Sequence, residues 1–242
     1  MNMNLLCKRR VLVAEPIDML NQETQSENIV LPYSVEGEFF IDPVDVKNKL
    51  LYRFFKRFFD ITVSLVLLLL CFVPMVIIGI LVKLTSKGPA LYFQPRLGLN
   101  GKRFRVVKFR SMCFDAEKDG VQWSAGKEDE RITKFGSFLR KTRLDELPQL
   151  WCIFIGTMSF VGPRPEREVF YDAFETYIHG FRERLKVKPG LTGLAQVNGG
   201  YDLKPEEKIM YDMEYIRRRS CWLDFKIMLK TVGIVFSASG AK

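Results

Sequence analysis

The order of apolar and polar residues divides the chain into three parts. Residues 1–41 show little periodicity, and a short strand over Val11–Ala14 is the one element that their pattern predicts. Residues 42–88 are strongly apolar, whereas residues 89–242 mix short alternating runs with helical spacing. We therefore expect an N-terminal extension of unassigned role, an apolar segment and a larger, more polar domain.

The apolar segment begins with the pattern of an amphipathic helix. Asp42 and Pro43 fit a helix start, with aspartate as the N-cap and proline at the first helical position. One helical stripe then carries the apolar residues Leu51, Phe54, Phe55, Phe58 and Phe59. The remainder is basic, with Lys49, Arg53, Lys56 and Arg57. This combination is typical of a helix lying at a lipid surface, although an ordinary helix of a bundle would show the same spacing.

An uncharged run of 22 residues, Ile61–Val82, follows. Its length matches the hydrocarbon core of a bilayer, about 30 Å. Pro74 lies just past the middle of the run, where it removes one helical hydrogen bond. Basic residues flank both ends, and such flanks favour the cytoplasmic side of a membrane. The pattern therefore predicts a helix–break–helix hairpin that enters and leaves on one side, with a kinked single span as the alternative.

Residues 89–242 have the pattern of an α+β domain. Leu91–Gly98 and Arg103–Arg110 alternate like two strands around a turn at Asn100 and Gly101, and residues 115–130 have the composition of a loop. Helices are predicted over residues 131–142, 146–155, 166–184, 205–218 and 224–236. The expected fold class is α+β and membrane-associated, with a re-entrant helix hairpin in residues 42–88 and a mostly helical cytosolic domain in residues 89–242.

The composition narrows the chemistry. The chain has 37 basic and 28 acidic residues, a formal net charge of +9, which favours polyanionic partners such as nucleic acid, anionic lipid or phosphorylated substrates. A single histidine, His179, argues against chemistry that needs histidine clusters, and we expect it to be a surface residue at a helix end. The five cysteines lack the spacing of a metal or redox motif, so they are expected to be reduced thiols. Carboxylates and basic residues must therefore carry any reaction.

The segment Arg143–Leu150 contains the strongest candidate for a reactive group. Asp145 is expected to cap a helix that has Glu146 in its first turn, where free backbone N–H groups attract anions. Further positive charge comes from Arg140, Lys141 and Arg143. A carboxylate in such a field can attack phosphorus, and a divalent metal held by Glu146 would help. The structural alternative is that this Asp-Glu pair is only a favourable helix start.

Rigid basic motifs supply a context for this pair. Lys108 and Arg110 fall on one face of a predicted strand, and Arg164 is locked between two prolines. Lys188 belongs to a second stiff turn that precedes Pro189. Because rigidly held arginine and lysine side chains suit diphosphate recognition, these four cations are candidates for phosphate binding. Each motif alone is equally compatible with a solvated loop.

In combination, these motifs resemble those of the small monotopic phosphoglycosyl transferases. These are bacterial sugar transferases that initiate the assembly of capsule, exopolysaccharide or glycoprotein glycans. The resemblance extends from about Arg53 to Phe236. The matching stretches are Lys56-Arg-Phe-Phe-Asp60, Lys108-Phe-Arg-Ser-Met112, Leu144-Asp-Glu-Leu-Pro-Gln-Leu150, Met158-Ser-Phe-Val-Gly-Pro-Arg-Pro165 and Lys188-Pro-Gly-Leu-Thr-Gly-Leu-Ala-Gln-Val-Asn-Gly199.

The resemblance implies a topology and a mechanism. Members of the family have a re-entrant membrane helix broken at a proline, which corresponds to Pro74. Their catalytic Asp-Glu dyad corresponds to Asp145 and Glu146: the aspartate attacks the β-phosphate of a UDP-sugar, UMP leaves, and polyprenyl phosphate then takes the phosphosugar from the enzyme. The family requires Mg²⁺, for which Glu146 is the expected ligand, and Arg164 is expected to bind phosphate. Such an enzyme acts at the cytoplasmic face of the inner membrane.

Two positions depart from the family pattern. Lys188 stands where many relatives have arginine, which keeps the charge but loses the two-pronged geometry, and Gly200 stands where relatives often have arginine. Galactose, glucose and N-acetylated sugars are all compatible with the motifs.

Two other classes of function are weighed beside the enzyme. A membrane-anchored basic scaffold would need neither the dyad nor a metal. The long apolar run and the lack of a recognisable binding module argue against a nucleic-acid-binding protein. The expected partners are therefore a UDP-sugar, polyprenyl phosphate and inner-membrane lipid, without nucleic acid.

Overall fold

A computed structural model of the protein describes residues 7–10, 37–116, 129–199 and 203–237. The predicted strand Val11–Ala14, most of the predicted loop 115–130 and Gly200 lie outside the described residues. Within them, helices and strands are mixed along the chain. The expected α+β class is thus confirmed.

One long helix, α1 (Leu50–Thr85), contains both the predicted amphipathic helix and the uncharged run. The predicted helix start at Asp42 is wrong: the N–H of Val44 donates to Glu183 Oε2 (2.6 Å) and the Val44 side chain is buried in the core. Pro74 lies inside α1, which continues on both sides of it, and a break into two helices is not confirmed. Among the described residues, α1 is the one helix long and apolar enough to cross a membrane.

The N-terminal half of α1 turns its charged face toward the protein. Lys56 Nζ lies 2.7 Å from Asp224 Oδ2, and Arg57 donates to the carbonyls of Ile153 and Phe154 at 2.8 and 2.7 Å. The apolar stripe on the opposite face is between 40% and 75% exposed, with Leu51, Phe54, Phe55, Phe58 and Phe59. A bundle helix would bury this stripe, so its exposure favours contact with lipid.

The C-terminal half of α1 is attached to the same domain. Ile78 and Val82 are buried in an apolar cluster with Phe109 and Leu139. The carbonyl of Ser86, directly after the helix, accepts a hydrogen bond from Arg110 Nη2 of that domain at 2.8 Å. Both ends of α1 therefore contact one and the same domain.

A hairpin and two small sheets supply the strands of this domain. Strands β3 (Leu91–Leu97) and β4 (Arg103–Phe109) pair as predicted, across a turn in which Asn100 has a φ of 55° and Gly101 a φ of 73°. In one sheet, β2 (Glu38–Ile41) pairs antiparallel with β1 (Cys7–Arg10) and parallel with β6 (Ile178–His179). In the other, β5 (Ser159–Val161) and β7 (Gly190–Thr192) are parallel.

Helices are present in each of the predicted regions. They are α2 (Lys134–Lys141), α3 (Gln149–Ile155), α4 (Glu168–Glu175), α6 (Pro205–Arg218) and α7 (Cys221–Ser237). The short helix α5 (Leu194–Asn198) was not predicted.

The prediction of one helix over 166–184 is wrong after Glu175. Ile178 joins β2, and Gly180 has a φ of 94°, which ends helical geometry. His179 consequently lies in β6, where it stacks on Phe40 at 4.6 Å, and not at a helix end.

Two apolar clusters hold the layers together. The larger one joins α4, α6 and α7 to a 3₁₀ helix over Phe181–Lys186. The second joins β4, α3 and the middle of α1. Together they bring β4, the chain after α2 and the β5–β7 pair to one place, where the candidate site lies.

Candidate active site

Asp145 and Glu146 lie in a 3₁₀ turn, Leu144–Glu146, between α2 and α3. The predicted role of Asp145 as a helix N-cap is wrong, because α3 begins at Gln149 and its N-cap is Pro148. The physical reason is the preceding Arg143, whose φ of 55° turns the chain so that the Glu146 N–H bonds back to its carbonyl at 3.2 Å. Both residues are buried, with Asp145 7% and Glu146 8% exposed.

Two cations hold the Glu146 carboxylate. Its Oε1 atom accepts hydrogen bonds from Arg164 Nη2 at 2.5 Å and from Lys108 Nζ at 3.3 Å. Burial alone would raise the pKa of Glu146, but the charges of Arg164 and Lys108 outweigh it and lower that pKa below its usual range. Glu146 is therefore ionised, and a single oxygen atom faces two positive side chains.

The pKa of Asp145 is shifted in the opposite direction from that of Glu146. Burial, and next the negative charge of Glu146, raise the pKa of Asp145 above its ordinary value, although Lys108, Arg140 and Arg164 act in the opposite direction. Adjacent carboxyl groups whose pKa values are pushed apart are typical of acid–base and nucleophilic sites. Asp145 is thus the more basic member of the pair.

The turn that carries Arg164 is fixed through its backbone. Four consecutive carbonyls each accept one hydrogen bond. The Pro163 carbonyl accepts from Gly190 N at 2.9 Å, and the Arg164 carbonyl accepts from Arg184 Nη2 at 3.0 Å. The Pro165 carbonyl accepts from Arg96 Nη1 and the Glu166 carbonyl from Leu97 N, both at 3.2 Å. Because every carbonyl is occupied, the backbone cannot rotate without losing a bond, and the guanidinium of Arg164 is aimed at Glu146 from a rigid base.

A buried ion pair stands behind this turn. Arg184 lies 2.6 Å from Asp212 Oδ2, and both side chains are 2% exposed. Sequence reasoning missed this pair, although Asp212 shares one face of α6 with the buried residues Ile209, Met213 and Ile216, an unusual place for a carboxylate. That break in the apolar pattern was the available signal.

The two proline-containing turns also touch through glycine. A Cβ atom added to Gly162 would lie 2.4 Å from the Lys188 carbonyl, and one added to Gly190 would lie 2.1 Å from Gly162 N. Any side chain at either position would separate the turns. The glycines therefore keep Arg164 and the Lys188 turn in register.

The predicted site residues do not all meet at the dyad. Lys108 and Arg164 contact Glu146, whereas Arg110 donates to the carbonyl and hydroxyl of Ser86 at 2.8 and 2.7 Å. Lys188 lies near the first half of α1, where burial, and next the charge of Arg57, lower its pKa. The binding of phosphate by these four predicted residues remains a prediction.

The protein alone supplies only some of the ligands that a divalent metal would need at this site. Nowhere in the described residues do three acidic, histidine or cysteine side chains cluster as metal ligands. Magnesium, however, is commonly held by one or two carboxylates together with the phosphates of its substrate. Glu146 and Asp145 can supply such carboxylates, so the donor set suits a metal that arrives with a diphosphate.

Comparisons with known proteins give one consistent result. The sequence profile of the bacterial sugar transferase family matches residues 51–238. A UDP-glucose:undecaprenyl-phosphate glucose-1-phosphate transferase of Klebsiella pneumoniae is 47% identical over 74% of this chain and 39% of its own length. A UDP-N-acetylgalactosamine-undecaprenyl-phosphate N-acetylgalactosaminephosphotransferase of Aeromonas hydrophila is 40% identical over 79% of this chain and 46% of its own. The chain thus spans less than half the length of these two relatives.

Proposed function

Since the chain belongs to the bacterial sugar transferase family, we propose that it transfers a sugar 1-phosphate from a UDP-sugar to polyprenyl phosphate. The names of its relatives support both substrates. The observation that carries the proposal is the buried Asp145, with raised pKa, beside a Glu146 carboxylate held by Arg164 and Lys108. A scaffold protein has no use for this arrangement, whose burial of two carboxylates costs stability.

The reaction proceeds by two displacements at one phosphorus atom. In the first, a carboxylate oxygen of Asp145 forms a bond to the β-phosphorus of the UDP-sugar, the bond from that phosphorus to the bridging oxygen breaks, and UMP leaves with the electron pair. In the second, a phosphate oxygen of polyprenyl phosphate attacks the same phosphorus and the bond to Asp145 breaks. The sugar diphosphate lipid departs, and the Asp145 carboxylate is regenerated.

The surrounding residues assist by charge and position. Phosphoryl transfer depends mainly on orienting the phosphates and neutralising their charge. Arg164 and Lys108 stand beside Glu146, where the diphosphate of the donor must approach Asp145. Burial keeps water from the acyl phosphate on Asp145, which limits hydrolysis before the acceptor arrives. Magnesium held by Glu146 and the diphosphate would supply further charge neutralisation.

The lipid acceptor requires a site at the membrane, and we propose that α1 bends at Pro74 in the membrane and so enters and leaves on the cytoplasmic side. Support comes from the two ends of α1, which both contact the domain that carries Asp145, while its apolar outer face is exposed. A full span would separate these two ends by the thickness of the bilayer. Basic residues at both flanks agree with the cytoplasmic side.

Release of UMP tests the proposed activity directly. The full chain in detergent or nanodiscs is mixed with undecaprenyl phosphate, Mg²⁺ and each of a panel of UDP-sugars, namely glucose, galactose and their N-acetylated forms. We expect UMP, and a matching sugar diphosphate lipid, with at least one donor. The complete lack of UMP with all donors would favour the scaffold function.

A further inference from the structure

An apolar groove lies between α1 and the β3–β4 hairpin. Its two overlapping halves have volumes of about 450 and 550 Å³. Val76 and Gly79 line it from α1, and Leu91, Phe93 and Phe109 line it from the hairpin. Pockets of this size and lining accommodate small apolar ligands.

Positive charge is concentrated at one end of the groove. Lys83 and Pro89 line that end, and the next residue, Ala90, accepts a hydrogen bond through its carbonyl from Arg110 N at 2.9 Å. The Arg110 side chain donates from Nη2 to Ser86, whereas its buried Nε and Nη1 atoms have no hydrogen-bond partner among the described residues. Unpaired buried donors of a guanidinium are costly unless a ligand satisfies them.

Gly88 lets the backbone pass directly against this guanidinium. Gly88 has a φ of 111°, and a Cβ atom added there would lie 2.3 Å from Arg110 Nη1. A side chain at position 88 would therefore displace the guanidinium. A guanidinium held in this way with two unpaired donors suits an anion with several oxygen atoms, such as a phosphate monoester.

Arg140 links the charged end of the groove to the dyad. Ser111 follows Arg110, and its hydroxyl accepts a hydrogen bond from Arg140 Nε at 2.9 Å. The charge of Arg140 in turn acts on Asp145. A ligand with its apolar chain in the groove and its phosphate at Arg110 would thus have its charged end on the path to the reactive carboxylate.

We propose that this groove binds the isoprenoid chain of the acceptor lipid and that Arg110 binds its phosphate. The inference rests on the proposed function. It places the isoprenoid chain against Val107 and Phe109, which line the groove, and the phosphate at Arg110, on the face of β4 where Lys108 contacts the dyad. The donor approaches at Arg164 and Lys108, and the acceptor approaches along α1.

A larger side chain at Gly79 tests binding of the acceptor independently of binding of the donor. The nearest atoms to an added Cβ at Gly79 are Phe109 Cε1 at 3.8 Å and Ala90 Cβ at 4.0 Å, so Gly79→Leu fits the helix and projects into the groove. The matched control is Ile77→Phe, which enlarges an exposed side chain of α1 that does not line the groove. Both variants are compared with the parent protein by thermal unfolding, and Ala90→Leu replaces Gly79→Leu if the latter fails to fold.

Two measurements are made on each variant. The first is the stoichiometric release of UMP from a UDP-sugar without acceptor, and the second is the KM for undecaprenyl phosphate in steady turnover. We expect Gly79→Leu to raise the KM for the acceptor at least tenfold, with the first release of UMP within a factor of two of the parent, and Ile77→Phe to change neither. An unchanged acceptor KM in a folded Gly79→Leu protein would overturn the groove assignment. If that variant were then also retained less well on lipid vesicles, the occupant of the groove would be membrane phospholipid.

Arg110→Gln tests the phosphate end. Glutamine keeps a polar side chain but carries no charge, so loss of the acceptor reaction with intact initial UMP release would support the assignment. Loss of the initial release as well would show that Arg110 serves the donor and overturn it. If the parent protein releases no UMP without acceptor, the covalent mechanism fails, which is a different result from an unchanged acceptor KM.

Discussion

Arg164 Nη2 lies 2.5 Å from Glu146 Oε1. The contact joins a buried carboxylate to a turn whose backbone is hydrogen-bonded at four consecutive carbonyls. This contact links the dyad to the Pro-Arg-Pro turn. It keeps Glu146 ionised while its neighbour Asp145 has a raised pKa. The two carboxyl groups and their cations are therefore one electrostatic unit.

Removal of the Arg164 charge should weaken the use of the nucleotide sugar. A charge-assisted hydrogen bond contributes about 1.5–3 kcal/mol, so we expect Arg164→Ala to lower kcat/KM for the UDP-sugar roughly 10- to 150-fold. Arg182→Ala is the matched control, because Arg182 pairs with Asp172 at the exposed surface. Similar losses in the two variants would show that the rigid turn has no special role.

The pH dependence should report Asp145. Its carboxylate must be deprotonated to attack, and burial raises its pKa. The rate of the first UMP release should therefore fall as the pH decreases, with a midpoint above the ordinary aspartate value of about 3.9. Because Arg164 favours the ionised form, Arg164→Ala should move this midpoint to higher pH. A midpoint that stays or moves down would contradict the assignment of Asp145 as the titrating group.

Arg184 should act on catalysis through Arg164. In Arg184→Lys the charge opposite Asp212 is kept, but lysine cannot hold both Asp212 and the Arg164 carbonyl in one planar fork. Loss of that hydrogen bond, about 1 kcal/mol, should lower kcat/KM roughly fivefold.

A double-mutant cycle distinguishes this positioning role from a general loss of stability. In a protein that already carries Arg164→Ala, the change Arg184→Lys should have no further effect on kcat/KM. Thermal unfolding of each variant provides the control for folding. Additive losses across the cycle would show that Arg184 does not act through the turn.

The topology can be probed with single cysteines. Asn48 and Lys87 are exposed and flank α1 on its two sides. In a protein whose native cysteines are replaced, Asn48→Cys and Lys87→Cys should both be shielded from a membrane-impermeant thiol reagent in intact cells and react after lysis. Labelling of exactly one of them from outside would establish a full span, which the contacts of both helix ends with one domain argue against.

The sequence predicted elements best where the pattern was local. The β3–β4 hairpin follows from alternation around Asn100 and Gly101, and α6 follows from its apolar spacing. The helix start at Asp42 failed because a long-range hydrogen bond from Val44 to Glu183 overrides the capping signal. Local propensity gave no indication of that contact.

The candidate site was likewise predicted only in part. Asp145, Glu146, Lys108 and Arg164 were identified from their motifs and are brought together by the fold. Sequence alone could not show that Arg110 and Lys108 have different contacts, because the two share a strand face. Only the structure shows that Arg110 contacts Ser86. The turn-holding role of Arg184 depends on tertiary packing and was not foreseen.

The covalent step is the central claim, and peptide mass spectrometry tests it. The protein is incubated with Mg²⁺ and an accepted UDP-sugar without acceptor, quenched in acid and digested. We predict a mass increase equal to one sugar phosphate on the peptide that contains Asp145, its loss when undecaprenyl phosphate is added before quenching, and no increase in Asp145→Asn, whose amide cannot act as the nucleophile. Full turnover by Asp145→Asn, or an adduct on a different residue, would contradict the account.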